Sequence, residues 1–194
     1  MSKSVKDLLF GLKINKVEGG FDCSNNQLTS LEGSPEIVGG DFYCNYNQLT
    51  SLEGGPKKIG GGFYCYHNQL TSLKGSLETV EGNFYCSRNQ LTSLEGGPKI
   101  VEGNFYCHNN QLTSLEGSPK TVGGYFHCQY NQLTSLKGSL ETVGGDFYCY
   151  DNQLTSLEGG PKIVEGNFYC NDNPKEFTKE EVRKYIDVKG RIIV

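Results

Sequence analysis

Eight cysteines stand at a constant interval of 21 residues: Cys23, Cys44, Cys65, Cys86, Cys107, Cys128, Cys149 and Cys170. Phe21, Phe42, Phe63, Phe84, Phe105, Phe126, Phe147 and Phe168 keep the same interval. So do Asn26, Asn47, Asn68, Asn89, Asn110, Asn131, Asn152 and Asn173. A fixed period in this range marks a stack of supersecondary units, each of which buries its apolar side only against its neighbours. The unit reads N-Q-L-T-S-L-(E/K)-G-x-(P/L)-x-x-(V/I)-x-G-x-F-x-C-x-x. Seven complete copies run over 26–172, and a degenerate half-unit precedes them over 17–25. The strings LTSLKGSLETV and LTSLEGGPKIVEGNFYC each recur three units later, which indicates duplication of a three-unit block.

The residue order within a unit predicts its path. In F-Y-C the side chains alternate, so Phe and Cys point to one side of a strand and Tyr to the other. Asn follows three residues after Cys, where the chain must turn. The two Leu of N-Q-L-T-S-L then point inward again. Gly and Pro beyond them argue against a helix on the far side, which is expected to consist of turns and extended chain. Gly two residues before the Phe permits a tight bend.

The run F-x-C-x-x-N-x-L-x-x-L resembles the leucine-rich-repeat core, with Phe and Cys in two of the Leu positions. The whole unit resembles the short repeats of bacterial leucine-rich-repeat effectors. It is closer still to the Cys-containing repeat proteins of bacteria and their phages, with repeats like NQLTSLEGxPxxVGGxFxC. The likeness covers roughly 17–174. It implies a repeat solenoid, mostly β: a right-handed coil of eight parallel strands, 21 residues per coil. At about 4.8 Å per strand the stack is about 34 Å long. It also implies that the Asn column is a structural ladder and that a partner is captured on the concave strand face. The chain departs from the effectors by an extra residue before the strand and by the lack of an appended catalytic domain, so ligase activity is not carried over.

Both ends read as caps of one domain. Residues 1–16 form the N-terminal cap, in which Ser4 and Asp7 pair as a helix opening and a short helix runs from Val5 to Phe10. The solenoid occupies 17–173. Residues 174–194 form the C-terminal cap, with Thr178 and Glu181 as a capping box and a helix from Lys179 to about Ile186. Val182, Tyr185 and Ile186 are expected to cover the last coil, and the segment from Val188 to Val194 to add a final strand.

Several function classes are disfavoured. The formal net charge is −4 and no basic stripe is present, which argues against nucleic acid. No apolar run approaches the ~20 residues that span a bilayer. Lys3, Lys6 and Asp7 near the start do not resemble a secretory signal, so the expected location is the cytoplasm of a bacterial or phage-infected cell. Zinc sites need clustered ligands, whereas these thiols stand in single file; they are expected to be reduced, buried packing groups. His67, His108 and His127 fall in three different columns and form no triad. Neither a catalytic residue nor a cofactor or metal is expected.

The informative columns are those that vary. One precedes the Phe: Asp41, Gly62, Asn83, Asn104, Tyr125, Asp146, Asn167. One follows the Cys: Asn45, Tyr66, Ser87, His108, Gln129, Tyr150, Asn171. The next reads Tyr46, His67, Arg88, Asn109, Tyr130, Asp151, Asp172. These 21 positions contain no Lys and no Glu, and Tyr and Asn dominate, as in antibody combining sites. Drift from one ancestral codon would produce a similar mixture, so selection remains one of two readings. Beside them runs the column Tyr43, Tyr64, Tyr85, Tyr106, His127, Tyr148 and Tyr169, which reads as cross-strand stacking and as a flat aromatic platform, neither of which excludes the other. The leading expectation is a binding module for a protein partner. Tyr46, Tyr66, Tyr125, Tyr130 and Tyr150 are its anchors; Arg88, His67, His108 and Asp151 orient the partner. The phage resemblance implies an inhibitor of a host protein. A small-ligand sponge for nucleotide-like molecules and a structural assembly protein are the alternatives. A monomer is favoured.

Overall fold

The computed structural model describes residues 3–194, and they form one continuous parallel β-solenoid. Each coil is named here by its front strand: coil 1 by Phe21–Asp22, coil 2 by Phe42–Tyr43, and so on to coil 8 with Phe168–Tyr169. The front sheet has nine strands, one more than the repeat count predicts, because Ile192–Ile193 pairs with Phe168–Tyr169. Every pairing is parallel and in register, Phe on Phe and Tyr on Tyr in most steps, with Asp22, His127, Ile192 and Ile193 as the exceptions. In each step Phe and Cys donate backbone N–H to the next coil; Phe105 reaches Tyr125 O at 2.8 Å and Cys107 reaches His127 O at 2.9 Å.

The side expected to be turns and extended chain also pairs. The residues around the Val/Ile column form two-residue strands in a flanking sheet, just before the corner that leads to the front strand. At most one residue of each is buried, so no apolar alternation exists for the sequence to display. The flanking sheet is not continuous. Lys16–Val17, Ile37–Val38 and Lys58–Ile59 form one piece, and Thr79–Val80 through Asp187–Val188 form a second of six strands.

The core is a set of inward columns. In coil 5, Val101, Phe105, Cys107, Leu112 and Leu115 are all fully buried. The inward Phe rings follow one another 5.2–5.9 Å apart. Close packing of this kind makes one coil the mould of the next. The Gly after the second Leu is needed for its backbone: Gly117 has φ 80°, and a Cβ there would meet Glu95 N at 2.3 Å.

The Asn column is a ladder. Asn110 accepts from Leu91 N–H at 3.1 Å and donates to Cys86 O and Cys107 O at 3.1 and 3.0 Å. Asn47, Asn68, Asn89, Asn131, Asn152 and Asn173 repeat the pattern. Asn26 does not belong to it: with no preceding coil to bridge, its amide turns to Ser24 O at 2.6 Å. The thiols are free and buried, and several donate along the stack, as Cys65 does to Tyr85 O at 3.2 Å. Burial pushes every one of them up, Cys23 and Cys170 to about 12.

Both caps are helical, but each helix stops earlier than the sequence suggests. Helix α1 is Val5–Leu8, with Ser4 and Asp7 as a reciprocal capping box, and Val5 is fully buried against coil 1. Phe10 lies beyond it at φ 52°, 94 % exposed. Helix α2 is Lys179–Tyr185, capped by Thr178 and Glu181. Val182 and Ile186 cover the last coil, whereas Tyr185 turns to solvent beside Lys184. The following chain completes a ninth, shortened coil: Asp187–Val188 extends the flanking sheet and Ile192–Ile193 the front sheet. The region 174–194 is thus both lid and last rung.

Candidate binding face

The outward column of the front sheet is a single stack of seven rings. Tyr43, Tyr64, Tyr85, Tyr106, His127, Tyr148 and Tyr169 succeed one another at centroid distances of 4.6, 4.9, 4.1, 4.6, 4.3 and 4.6 Å. Their interplanar angles stay between 7° and 18°. In-register strands about 4.8 Å apart impose this spacing. The consequence is geometric. Each inner ring spends both faces on its neighbours and offers the solvent its edge and polar atom. A flat platform for a stacking ligand does not exist along the inner column; stacking between the strands takes its place.

The first variable column proves to be largely a second ladder. Asp41 Oδ1 accepts from Gly62 N–H at 2.6 Å, and Asn83 Oδ1 from Asn104 N–H at 2.8 Å. Asn104, Asp146 and Asn167 do the same for Tyr125, Asn167 and Arg191. Asp and Asn recur there because a short side-chain oxygen reaches the next coil's amide. Gly62 and Tyr125 are the two positions of this column that break the pattern. The ring of Tyr64 folds over Gly62, and Tyr125 stands 45 % exposed.

The second column does not face fully outward. Asn45, Ser87 and Gln129 are buried. Asn45 Oδ1, His108 Nδ1 and Gln129 Oε1 are buried without a hydrogen-bond partner. The third column sits at a left-handed turn, with φ from 49° to 57° at Tyr46, His67, Arg88, Asn109, Tyr130, Asp151 and Asp172. Asn and Asp adopt that conformation readily, whereas Tyr and Arg do so at a cost.

The nine expected contact residues fall into two patches. Tyr46, Tyr66, His67, Arg88 and His108 line an open groove of about 590 Å³, floored by the inner rings of coils 2 to 5. Tyr46 stacks on His67 at 4.5 Å and meets Tyr66 edge-on at 5.3 Å. Tyr125, Tyr130, Tyr150 and Asp151 form the second patch, in coils 6 and 7. Tyr130 meets Tyr150 edge-on at 5.5 Å, and Tyr125 meets Tyr148 at 6.5 Å. Ser87, a member of the same variable column though not one of the nine expected contact residues, also lines the groove.

The histidines lie closer than their separate columns suggest, with His108 and His127 centroids 6.1 Å apart. Burial lowers the pKa of His127 to about 4, aided by His108. Burial and then Arg88 lower His67 and His108. Tyr43 is pushed up to about 12, chiefly by its hydrogen bond to Asp41. Among the described residues no three His, Cys, Asp or Glu side chains converge as a metal-ligand set, and no helix is long and apolar enough to cross a membrane.

Fold and face together define a parallel β-solenoid whose front carries a ring stack flanked by variable side chains. No family model, curated protein or solved structure matches the chain.

Proposed function

We propose that this protein is a non-catalytic binding module that captures a protein partner on its front face. One observation carries the reading. The duplicated block provides an internal comparison in which the frame stayed and the face changed. Units 89–109 and 152–172 differ only at His108/Asn171 and Asn109/Asp172. Units 68–88 and 131–151 differ at Glu81/Gly144, Asn83/Asp146, Ser87/Tyr150 and Arg88/Asp151. Five of these six changes lie in the three variable columns. Exposure alone does not account for that, because Gln69 and Gln132, Thr71 and Thr134, and Lys74 and Lys137 are equally exposed and did not change. The third pair, 47–67 and 110–130, differs more widely, yet again at Gly62/Tyr125, Tyr64/His127, Tyr66/Gln129 and His67/Tyr130.

The geometry favours a macromolecule over a nucleotide sponge. The inner rings have no free face for a base, and the groove is open along the stack instead of enclosing a ligand. Caps at both ends disfavour end-to-end assembly. The resemblance to repeat proteins of bacteria and their phages makes a host protein the expected target, and an inhibitory role the natural one. The test is affinity capture from native host lysate with the tagged chain, beside a Tyr66→Ala, Tyr130→Ala, Tyr150→Ala variant that keeps its circular dichroism spectrum. A protein retained by the wild type and lost by the variant supports the front face. Equal retention by both moves the site elsewhere, and no retained protein removes this reading.

A further inference from the structure

Charge and hydrogen bonding divide the front face unevenly. In coils 2 and 7 the corner residue is an aspartate that accepts the phenol hydrogen two residues on. Tyr43 Oη donates to Asp41 Oδ2 at 2.9 Å, and Tyr148 Oη to Asp146 Oδ2 at 3.0 Å. In coils 3, 4 and 5 that corner holds Gly62, Asn83 and Asn104, so Tyr64, Tyr85 and Tyr106 have no carboxylate at the matching place. Tyr85 and Tyr106 stack on each other at 4.1 Å instead. The same stretch carries Arg88, the one Lys or Arg in the four outward columns of the seven units. Arg88 is exposed and held at φ 54°, and it lines the groove with these rings. Ring edges, which this stack turns outward, carry the positive end of the aromatic quadrupole. The middle of the face therefore presents a guanidinium, phenol groups and ring edges; the carboxylate nearest to it, Asp41 at the coil 2 edge, is already engaged by the Tyr43 hydroxyl and the Gly62 N–H.

The duplicated partner of coil 4 shows the opposite choice. Coil 7 has Asp146 and Asp151 where coil 4 has Asn83 and Arg88, in units otherwise nearly identical. Duplication has thus been followed by a reversal of charge within one framework.

We propose that the groove around Arg88 receives a carboxylate, and that its occupant is an acidic segment of the partner protein. This rests on the reading of the front face as a protein-binding surface. The chain's own coils 2 and 7 display the pairing that coils 3 to 5 lack, a tyrosine hydroxyl on a carboxylate. An Asp or Glu side chain from outside supplies it, with Arg88 forming a charge-assisted and geometrically fixed contact.

The test titrates the full chain with a capped peptide containing three aspartates, its asparagine counterpart, inorganic phosphate and adenosine monophosphate. Chemical shifts of the Arg88 side chain and the His108 ring are followed. The expected result is a saturable shift at both with the aspartate peptide, at least tenfold weaker with the asparagine peptide, and loss of the His108 shift in Arg88→Asp. That variant keeps the fold, since Asp151 occupies the same left-handed position in coil 7 at φ 49°. Equal response to both peptides, or persistence in Arg88→Asp, overturns the proposal. Tighter binding of phosphate or the nucleotide also overturns it, in favour of a small-anion site. If the lysate partner still depends on the front face while the aspartate peptide gives no shift, the carboxylate subsite falls and the binding face stands.

Discussion

A single asparagine per coil does work that no apolar side chain could take over. Each rung of the ladder satisfies one buried N–H and two carbonyls from two coils. Removing it leaves buried groups unpaired, at about 1–3 kcal/mol each. Asn110→Ala is expected to cost about 3 kcal/mol or more, and to lower Tm by roughly 6–12 °C in calorimetry. Asn26→Ala, which loses only the local bond to Ser24, is expected to change Tm far less. The Asn period was legible in the sequence, but the exception at Asn26 follows only from counting coils in space. The left-handed turn gives a second contrast. Tyr46, Arg88 and Tyr130 hold a backbone conformation that Asn109 and Asp172 adopt more easily. Replacing each with Asn is expected to stabilise the chain by about 0.5–1 kcal/mol while weakening partner capture, a cost of order that of an unfavourable left-handed residue. Thermal melts and quantitative capture on the same variants check both halves; a variant that loses stability and keeps full binding would contradict the assignment.

The seven-ring stack sets the behaviour of the front sheet as an element. His127 stands in line with six tyrosines, its pKa lowered to about 4 by burial. Above the ordinary histidine range it is neutral in both folded and unfolded chains. Between about 6.5 and 4 the unfolded chain takes up a proton that the folded chain refuses. Stability therefore falls as pH drops through that window and levels off below it. His67 and His108, also lowered, add to the same sign. His127→Tyr restores the common residue of the column and is expected to flatten the pH profile of urea midpoints between pH 6.5 and 4. The strands themselves were readable from F-x-C alternation. The flanking sheet was not, because its strands bury one residue each at most. Nor was the orientation of the rings: alternation shows which side a tyrosine faces, not whether its face or edge meets the solvent. The corner column was hidden for a related reason, since Asp and Asn suit both a ladder and a contact surface.

Across the whole molecule, stability is a sum of coils and interfaces between neighbours. The C-terminal region closes that sum by covering coil 8 with Val182 and Ile186 and by adding the last strand to both sheets. Deleting 175–194 strips the buried side chains of coil 8 of the cover that Val182 and Ile186 give them, and unpairs the backbone of Ile163–Val164 and Phe168–Tyr169. Such a truncation is expected to associate with rising concentration in light scattering, where the full chain does not. The repeat predicted this architecture because every coil states the same pattern. It could not predict where the copies cease to be equivalent, as they do between Lys58–Ile59 and Thr79–Val80, where the flanking sheet is interrupted. There the stack is joined along the front, at the Gly61–Gly82 corner and through the Asn89 rung, while the flanking strands do not pair. A rod with one continuous rail and one cut rail bends most easily at the cut. Pulled from its ends, this molecule is expected to part first at coils 3 and 4, yielding two stiff segments of unequal length.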